Sequence, residues 1–180
     1  MSEIESRTPY PAIPLRPLRF LTMFAGIYGL LEVLYFAVPD DFLRDVVYHR
    51  GIVAVSADII QLATPHEPVV ANANKLQSGT IALEIIRGCD GAGVGFLLIS
   101  AIVTFPAPLS RKLAGGLAAI ALAFVLNQAR IVGLYYVIAY KKAWFVPIHV
   151  YFAPTLMIAV SCIFFAWWAA SGQPDSRETA

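Results

Sequence analysis

Four long apolar runs, at residues 18–38, 92–108, 113–140 and 150–170, constrain this chain more than any other feature. In a bilayer there is no water to satisfy backbone amides and carbonyls, so a spanning segment must be a helix or part of a closed barrel. Runs near the ~20 residues needed to cross as a helix predict helices. The chain as a whole agrees: 58% of its 180 residues are hydrophobic, 14% are charged, and mean hydropathy is +0.68. These values describe an integral membrane protein, well above the roughly half apolar content of soluble domains. A net charge of +1 leaves no basic stripe for a nucleic acid.

The expected fold is an all-α polytopic membrane protein of about four transmembrane helices, with an interfacial amphipathic helix and a small extracytoplasmic β-hairpin. Residues 1–17, with four prolines, read as a cytoplasmic tail. Residues 18–170 form one membrane domain, and residues 171–180 are a second cytoplasmic tail. The first run is too long for a signal-peptide core, so it reads as a retained span. Glu32 lies within it, as a structural hydrogen-bonding partner or as part of a site. Residues 42–64 mix charges with apolar positions at helical spacing, and their uninterrupted part is too short to span. They predict a helix lying in the interface. Residues 69–71 and 80–86 read as two strands joined by a turn at Gln77-Ser78-Gly79. A hairpin with open edges cannot face lipid, so it belongs outside the bilayer, within an extracytoplasmic segment 40–90.

Orientation rests on basic residues. Arg16, Arg19, Arg111 and Lys112 suggest a cytoplasmic side, while Arg44, Arg50, Lys141 and Lys142 flank the other. With both termini inside, Cys89, the hairpin and His149 face outward. The side expected to carry any site built from them is therefore the extracytoplasmic one.

Under that topology three segments distant in sequence deliver a thiol, a guanidinium and an imidazole to one region. Cys89 opens the second run, Arg130 lies inside the third, and His149 opens the fourth. A thiolate is the reactive form of cysteine and is favoured beside cationic groups. Histidine can pass a proton to a leaving amine. Arginine stays charged in a low-dielectric site and can stabilise an oxyanion. Each also has a structural reading: Cys89 as an inert helix-start residue, Arg130 as an ion-pair partner of Glu32 or Glu84, and His149 as interfacial packing. Cys162, deep in the last run, reads as a core residue. No CxxC pair exists, and His49 and His66 lack ligand spacing, so neither redox nor metal chemistry nor a cofactor is expected. Gly91, Gly93 and Gly95 miss the GxGxxG spacing and read as close helix packing.

The segments LEIIRGCDGAGVG (83–95), LNQARIVGLYY (126–136) and PIHVYFAP (147–154) together resemble the exosortase/archaeosortase family of membrane cysteine transpeptidases. The chain is similar to its compact bacterial members, such as the exosortase H type. The resemblance implies a catalytic triad of Cys89, Arg130 and His149. Asn127 would stand at the first position of the family's N-x-x-R motif. It implies substrates that are exported proteins ending in a short motif, a transmembrane helix and a basic tail. A thioester on Cys89 would be resolved by a lipid, a glycan or water. Asp90 departs from the Ser or Thr that many members carry after the cysteine. A carboxylate there would oppose thiolate formation unless it points to Arg130, Arg87 or solvent. The alternative function is a non-enzymatic membrane scaffold that binds partner transmembrane helices. A transporter is weaker, since no interrupted spans occur in paired halves.

Overall fold

The computed structural model describes residues 15–79 and 81–171. The two expected tails lie wholly or partly outside the described residues, as does Thr80 of the expected second strand. Helix α1, Leu15–Ala37, covers the first run and stops before Pro39-Asp40. Three helical stretches are long and apolar enough to cross a membrane: Pro17–Ala37, Asp40–Ala63 and Leu109–Ala170.

The second of these differs from the expected interfacial helix in length, being long and apolar enough to cross a membrane. Asp40–Ala63, here α2, runs for 24 residues without a break. Its charges crowd into the first turns, and past Asp45 only Arg50 and Asp58 remain, which leaves an apolar stretch of spanning length. The stretch Leu43–Val53 has π-helical turns before the α-helix resumes at Ala54–Ala63. Thr64 then closes α2 by returning both its amide and its hydroxyl to the Ile60 carbonyl, at 2.7 and 2.9 Å.

The expected two-stranded hairpin is a three-stranded antiparallel sheet of β1 Val70–Asn72, β2 Lys75–Ser78 and β3 Ile81–Glu84, in that spatial order. Gln77 and Ser78 belong to a strand rather than a turn. The first turn is Ala73-Asn74, where Ala73 adopts φ 51°. Lys75–Ser78 carries one apolar side chain, Leu76, which is fully buried. That single inward residue is enough to seat the strand.

Helix α3, Ala92–Thr104, has 13 residues and reaches only about 20 Å at ~1.5 Å per residue. It ends short of the expected boundary at 108 because Phe105 turns extended before Pro106. Helix α4, Leu109–Lys141, has 33 residues and starts four residues earlier than expected. Arg111 and Lys112 are therefore helical, not in a loop. The Arg111 guanidinium donates to the Trp168 carbonyl, and Lys112 Nζ donates to the Val103 carbonyl at 2.6 Å. Both cations thus cap the carbonyl ends of neighbouring helices. A 3-10 turn at Lys142–Trp144 reverses the chain into α5, residues 145–170. Its start lies before His149, since Pro147 is tolerated in a first turn. Residues Ile148–Phe152 are again π-helical.

Two apolar clusters hold these elements. One joins α2 (Ile52, Val53, Ile60), the sheet (Leu76, Leu83, Ile85) and α4 (Ile131, Tyr135). The other joins Leu98 and Ile102 of α3 with Ala119 of α4 and Trp168 of α5. Small residues allow α3 to lie against α4, as expected for its glycines. A Cβ on Gly91 would meet Asn127 Cβ at 2.8 Å, and one on Gly95 would meet Ala123 Cβ at 3.7 Å. Polar residues in the third run have separate tasks. Ser56 donates to Gln128 Oε1 at 2.5 Å, and Gln128 donates to the Ile52 carbonyl at 3.4 Å, which pins α2 to α4. Cys162 is exposed, contrary to the core position expected. It lies on the outward apolar side of α5 with Ile163.

Candidate active site

The loop from β3 to α3 presents Cys89 through two glycines in the left-handed region, Gly88 at φ 82° and Gly91 at φ 81°. A side chain at either would strain that backbone. The Cys89 amide donates to the Ile86 carbonyl at 2.9 Å, which tightens the turn. Cys89 Sγ then lies 3.8 Å from His149 Nε2. These atoms come from segments 60 residues apart, and both line a cavity of about 550 Å3. The His149 ring is held by stacking on Phe145, at 5.1 Å between centroids and 9° between planes. Its Nδ1 is buried without a partner among the described residues. Packing, rather than a carboxylate, sets its orientation.

Arg130 does not share the Cys89–His149 cavity. It lines an adjoining one of about 350 Å3, together with Glu32, Tyr28, Gly88, Gly91 and Met157. Gly88, Asp90 and Gly91 of the Cys89 loop line the cavity of Arg130, whereas Cys89 itself lines that of His149. Arg130 is still near enough for its charge to bear on the His149 ring. Among the described residues its Nε is buried and unpartnered, and so are both side-chain polar atoms of Asn127, one helical turn away. Asn127 is 1% exposed and packs against Gly91 at the first turn of α3. Among the described residues Arg130 makes no ion pair; Glu84 pairs with Lys75 at 3.5 Å, and Glu32 shares only the cavity. The ion-pair explanation for Arg130 therefore fails in this conformation.

Asp90 points to none of the three expected places. Its Oδ2 accepts from the hydroxyls of Tyr35 and Tyr48, the latter at 3.2 Å. Its Oδ1 accepts from the Ala92 amide at 3.2 Å, at the positive end of α3. The negative charge beside the nucleophile candidate is thus engaged by three donors. Arg87 secures the same corner. Its Nη1 donates to the Tyr35 carbonyl at 2.5 Å, a second Nη donates to the Val38 carbonyl, and Nε donates to Asp40 Oδ1 at 2.9 Å. The guanidinium also lies 5.1 Å from the Tyr35 ring centroid. The bond to Asp40 raises the pKa of Arg87 above its ordinary value, so the clamp stays charged. Tyr35 and Tyr48 were not singled out in sequence, although a buried tyrosine hydroxyl requires a partner; Arg87 was named only as a partner for Asp90, which it does not contact.

His49 Nδ1 lies 3.1 Å from the Ala73 carbonyl, and His66 is exposed. Among the described residues no group of three His, Cys, Asp or Glu side chains is placed to hold a metal ion. A thiol and an imidazole within reach of proton transfer, in an open cavity, suit nucleophilic attack on a carbonyl.

A family model described as transmembrane exosortase matches residues 18–168. No curated protein and no solved structure matches the chain.

Proposed function

From the premise that this chain belongs to the transmembrane exosortase family, we propose that it is a membrane cysteine transpeptidase of C-terminal sorting signals. Its substrates are exported proteins that end in a short motif, a transmembrane helix and a basic tail. The observation that carries the reading is the 3.8 Å approach of Cys89 Sγ to His149 Nε2.

His149 accepts the thiol proton, and the Cys89 thiolate attacks the carbonyl of the motif's scissile bond. The oxyanion that forms is stabilised by the positive end of α3 and by the charge of Arg130 across the loop. His149 returns its proton to the departing amine, which leaves with the substrate's helix, and a thioester remains on Cys89. A second nucleophile (a lipid, a glycan or water) attacks the thioester and releases the product. Asn127, buried beneath Gly91, supports the loop from the α4 side, and the Asp90 contacts hold it from the α1 and α2 side. A membrane-held substrate helix fixes the motif in depth, which supplies orientation before any chemistry. The site faces the extracytoplasmic side of the bacterial inner membrane, where exported substrates emerge.

Coexpression of a tagged exported protein bearing such a C-terminal signal tests this. Wild type processes it, and Cys89→Ala, His149→Ala and Arg130→Ala each lose processing by at least about a hundredfold, the scale of losing an acid–base or oxyanion group. Undiminished processing by Cys89→Ala overturns the thiol mechanism and leaves a scaffold role.

A further inference from the structure

The strand that leads into the Cys89 loop has an open edge, and that edge lines the Cys89–His149 cavity. β3 is the last strand of its sheet. The register pairs Leu76 with Leu83 and Ser78 with Ile81, and the Ile85 amide donates to the Asn74 carbonyl at 2.8 Å. That bond sets the phase of an antiparallel ladder. Ile81, Leu83 and Ile85 turn their amides and carbonyls toward β2, while Ala82, Glu84 and Ile86 turn theirs to the open side. The Ile86 carbonyl is used by the Cys89 amide. Among the described residues, the amides and carbonyls of Ala82 and Glu84 and the amide of Ile86 have no backbone partner and remain for another chain.

The cavity shared by Cys89 and His149 is lined by Ala82, Leu83, Glu84 and Ile86. Successive strand residues point to opposite faces of a sheet. A cavity that touches Ala82, Leu83 and Glu84 in succession therefore opens on the edge of β3 and not on one face. Ala82, Glu84 and Ile86 are exposed, whereas Leu83 and Ile85 are buried. The Glu84 side chain is drawn back toward β2 by Lys75 at 3.5 Å, which leaves its backbone accessible.

We propose that an extended peptide adds as a fourth strand to the open edge of β3 and is thereby delivered to Cys89. This deepens the reading of Cys89 as a nucleophile and rests on it. The occupant is the stretch just upstream of the cleaved bond. From Ala82 to Ile86 the edge offers about 13 Å at ~3.3 Å per residue, enough for roughly four substrate residues. The substrate's helix follows the cleaved bond, as α3 follows Cys89 here, so the added strand runs parallel to β3. Main-chain bonds supply affinity in such pairing, and alternate side chains supply selectivity.

The test uses the full chain carrying Cys162→Ala, in detergent, and a generic extended probe, acetyl-tetraalanyl chloromethyl ketone. The Cys89 thiolate displaces chloride from the probe's methylene carbon and forms a thioether. Iodoacetamide, which has no strand to pair, serves as the reference. Four further probes each carry one N-methylated alanine. The expected result is a period of two. Methylation at alternate residues slows Cys89 labelling about five- to tenfold, the scale of one lost hydrogen bond, and methylation at the residues between leaves the rate unchanged. Ala82→Pro removes an edge amide that the β2 ladder does not use. It slows the tetraalanyl probe by a similar factor and leaves the iodoacetamide rate unchanged. Equal effects at every position, or none, with normal iodoacetamide labelling overturn edge pairing while sparing the nucleophile. A Cys89 inert to both reagents overturns the nucleophile reading and edge pairing with it.

Discussion

Asp90 shows how a single side chain can be dangerous or harmless according to what faces it. A bare carboxylate next to Cys89 would oppose formation of a second negative charge. Here two tyrosine hydroxyls and the Ala92 amide engage it. Removing both hydroxyls, as Tyr35→Phe with Tyr48→Phe, leaves the carboxylate underpaired. Iodoacetamide labelling of Cys89 at fixed pH should then slow about tenfold, since bonds to charged groups are each worth roughly 1.5–3 kcal/mol. Adding Asp90→Asn to that pair should restore most of the rate, because the charge is gone. Gly91 is the other residue with no substitute. Its φ is 81°, and a Cβ would stand 2.8 Å from Asn127 Cβ. Gly91→Ala should lower the thermal stability of the detergent-solubilised protein by about 1–3 kcal/mol, the range for overpacking and backbone strain. It should also abolish processing. The approach of Cys89 to His149 was legible in sequence from their positions at the openings of two apolar runs. Tyr35 and Tyr48 were not, because an aromatic residue in an apolar run does not reveal which face it occupies. That Arg130 lines a different cavity from the thiol also escaped the sequence, which gives depth along a helix but not rotation about it.

Among the elements, the misread ones share a cause: composition averages over residues that act singly. The Lys75–Ser78 strand rests on buried Leu76 alone. The Asp40–Ala63 helix looked too short to span because its charges were counted along its whole length, although four of the six lie in its first six residues. Helices α4 and α5 were legible as runs, yet their pairing is set by details. Gly115 lies directly under Trp168, whose Cε2 would be 2.7 Å from an added Cβ. Trp168 is also fixed by Arg111, 4.7 Å from its ring centroid, and by Phe105 at 5.6 Å. Gly115→Ala should therefore destabilise the α4–α5 hairpin by about 1–3 kcal/mol, read as an earlier thermal transition in detergent. The link between α2 and α4 runs through Ser56 and Gln128. A double-mutant cycle of Ser56→Ala and Gln128→Leu should give a coupling of about 0.5–3 kcal/mol, whereas independent sites would give additive losses.

At the scale of the molecule, the five helices and one strand converge on one loop. α1 and α2 supply the tyrosines around Asp90, and α1 ends on Arg87. β3 leads into Cys89, α3 leads out of it, α4 supports it through Asn127, and α5 brings His149 to it. The loop is thus braced by helices on several sides and by the strand that leads into it. This convergence makes one covalent species the decisive observable. The most direct measurement is a search for a thioester between this protein and a coexpressed tagged protein bearing the proposed C-terminal signal, by denaturing electrophoresis and intact mass. The expected result is a hydroxylamine-labile adduct on Cys89 in wild type, absent from Cys89→Ala. Processing that continues in Cys89→Ala, with no such adduct in wild type, would contradict a mechanism centred on this thiol.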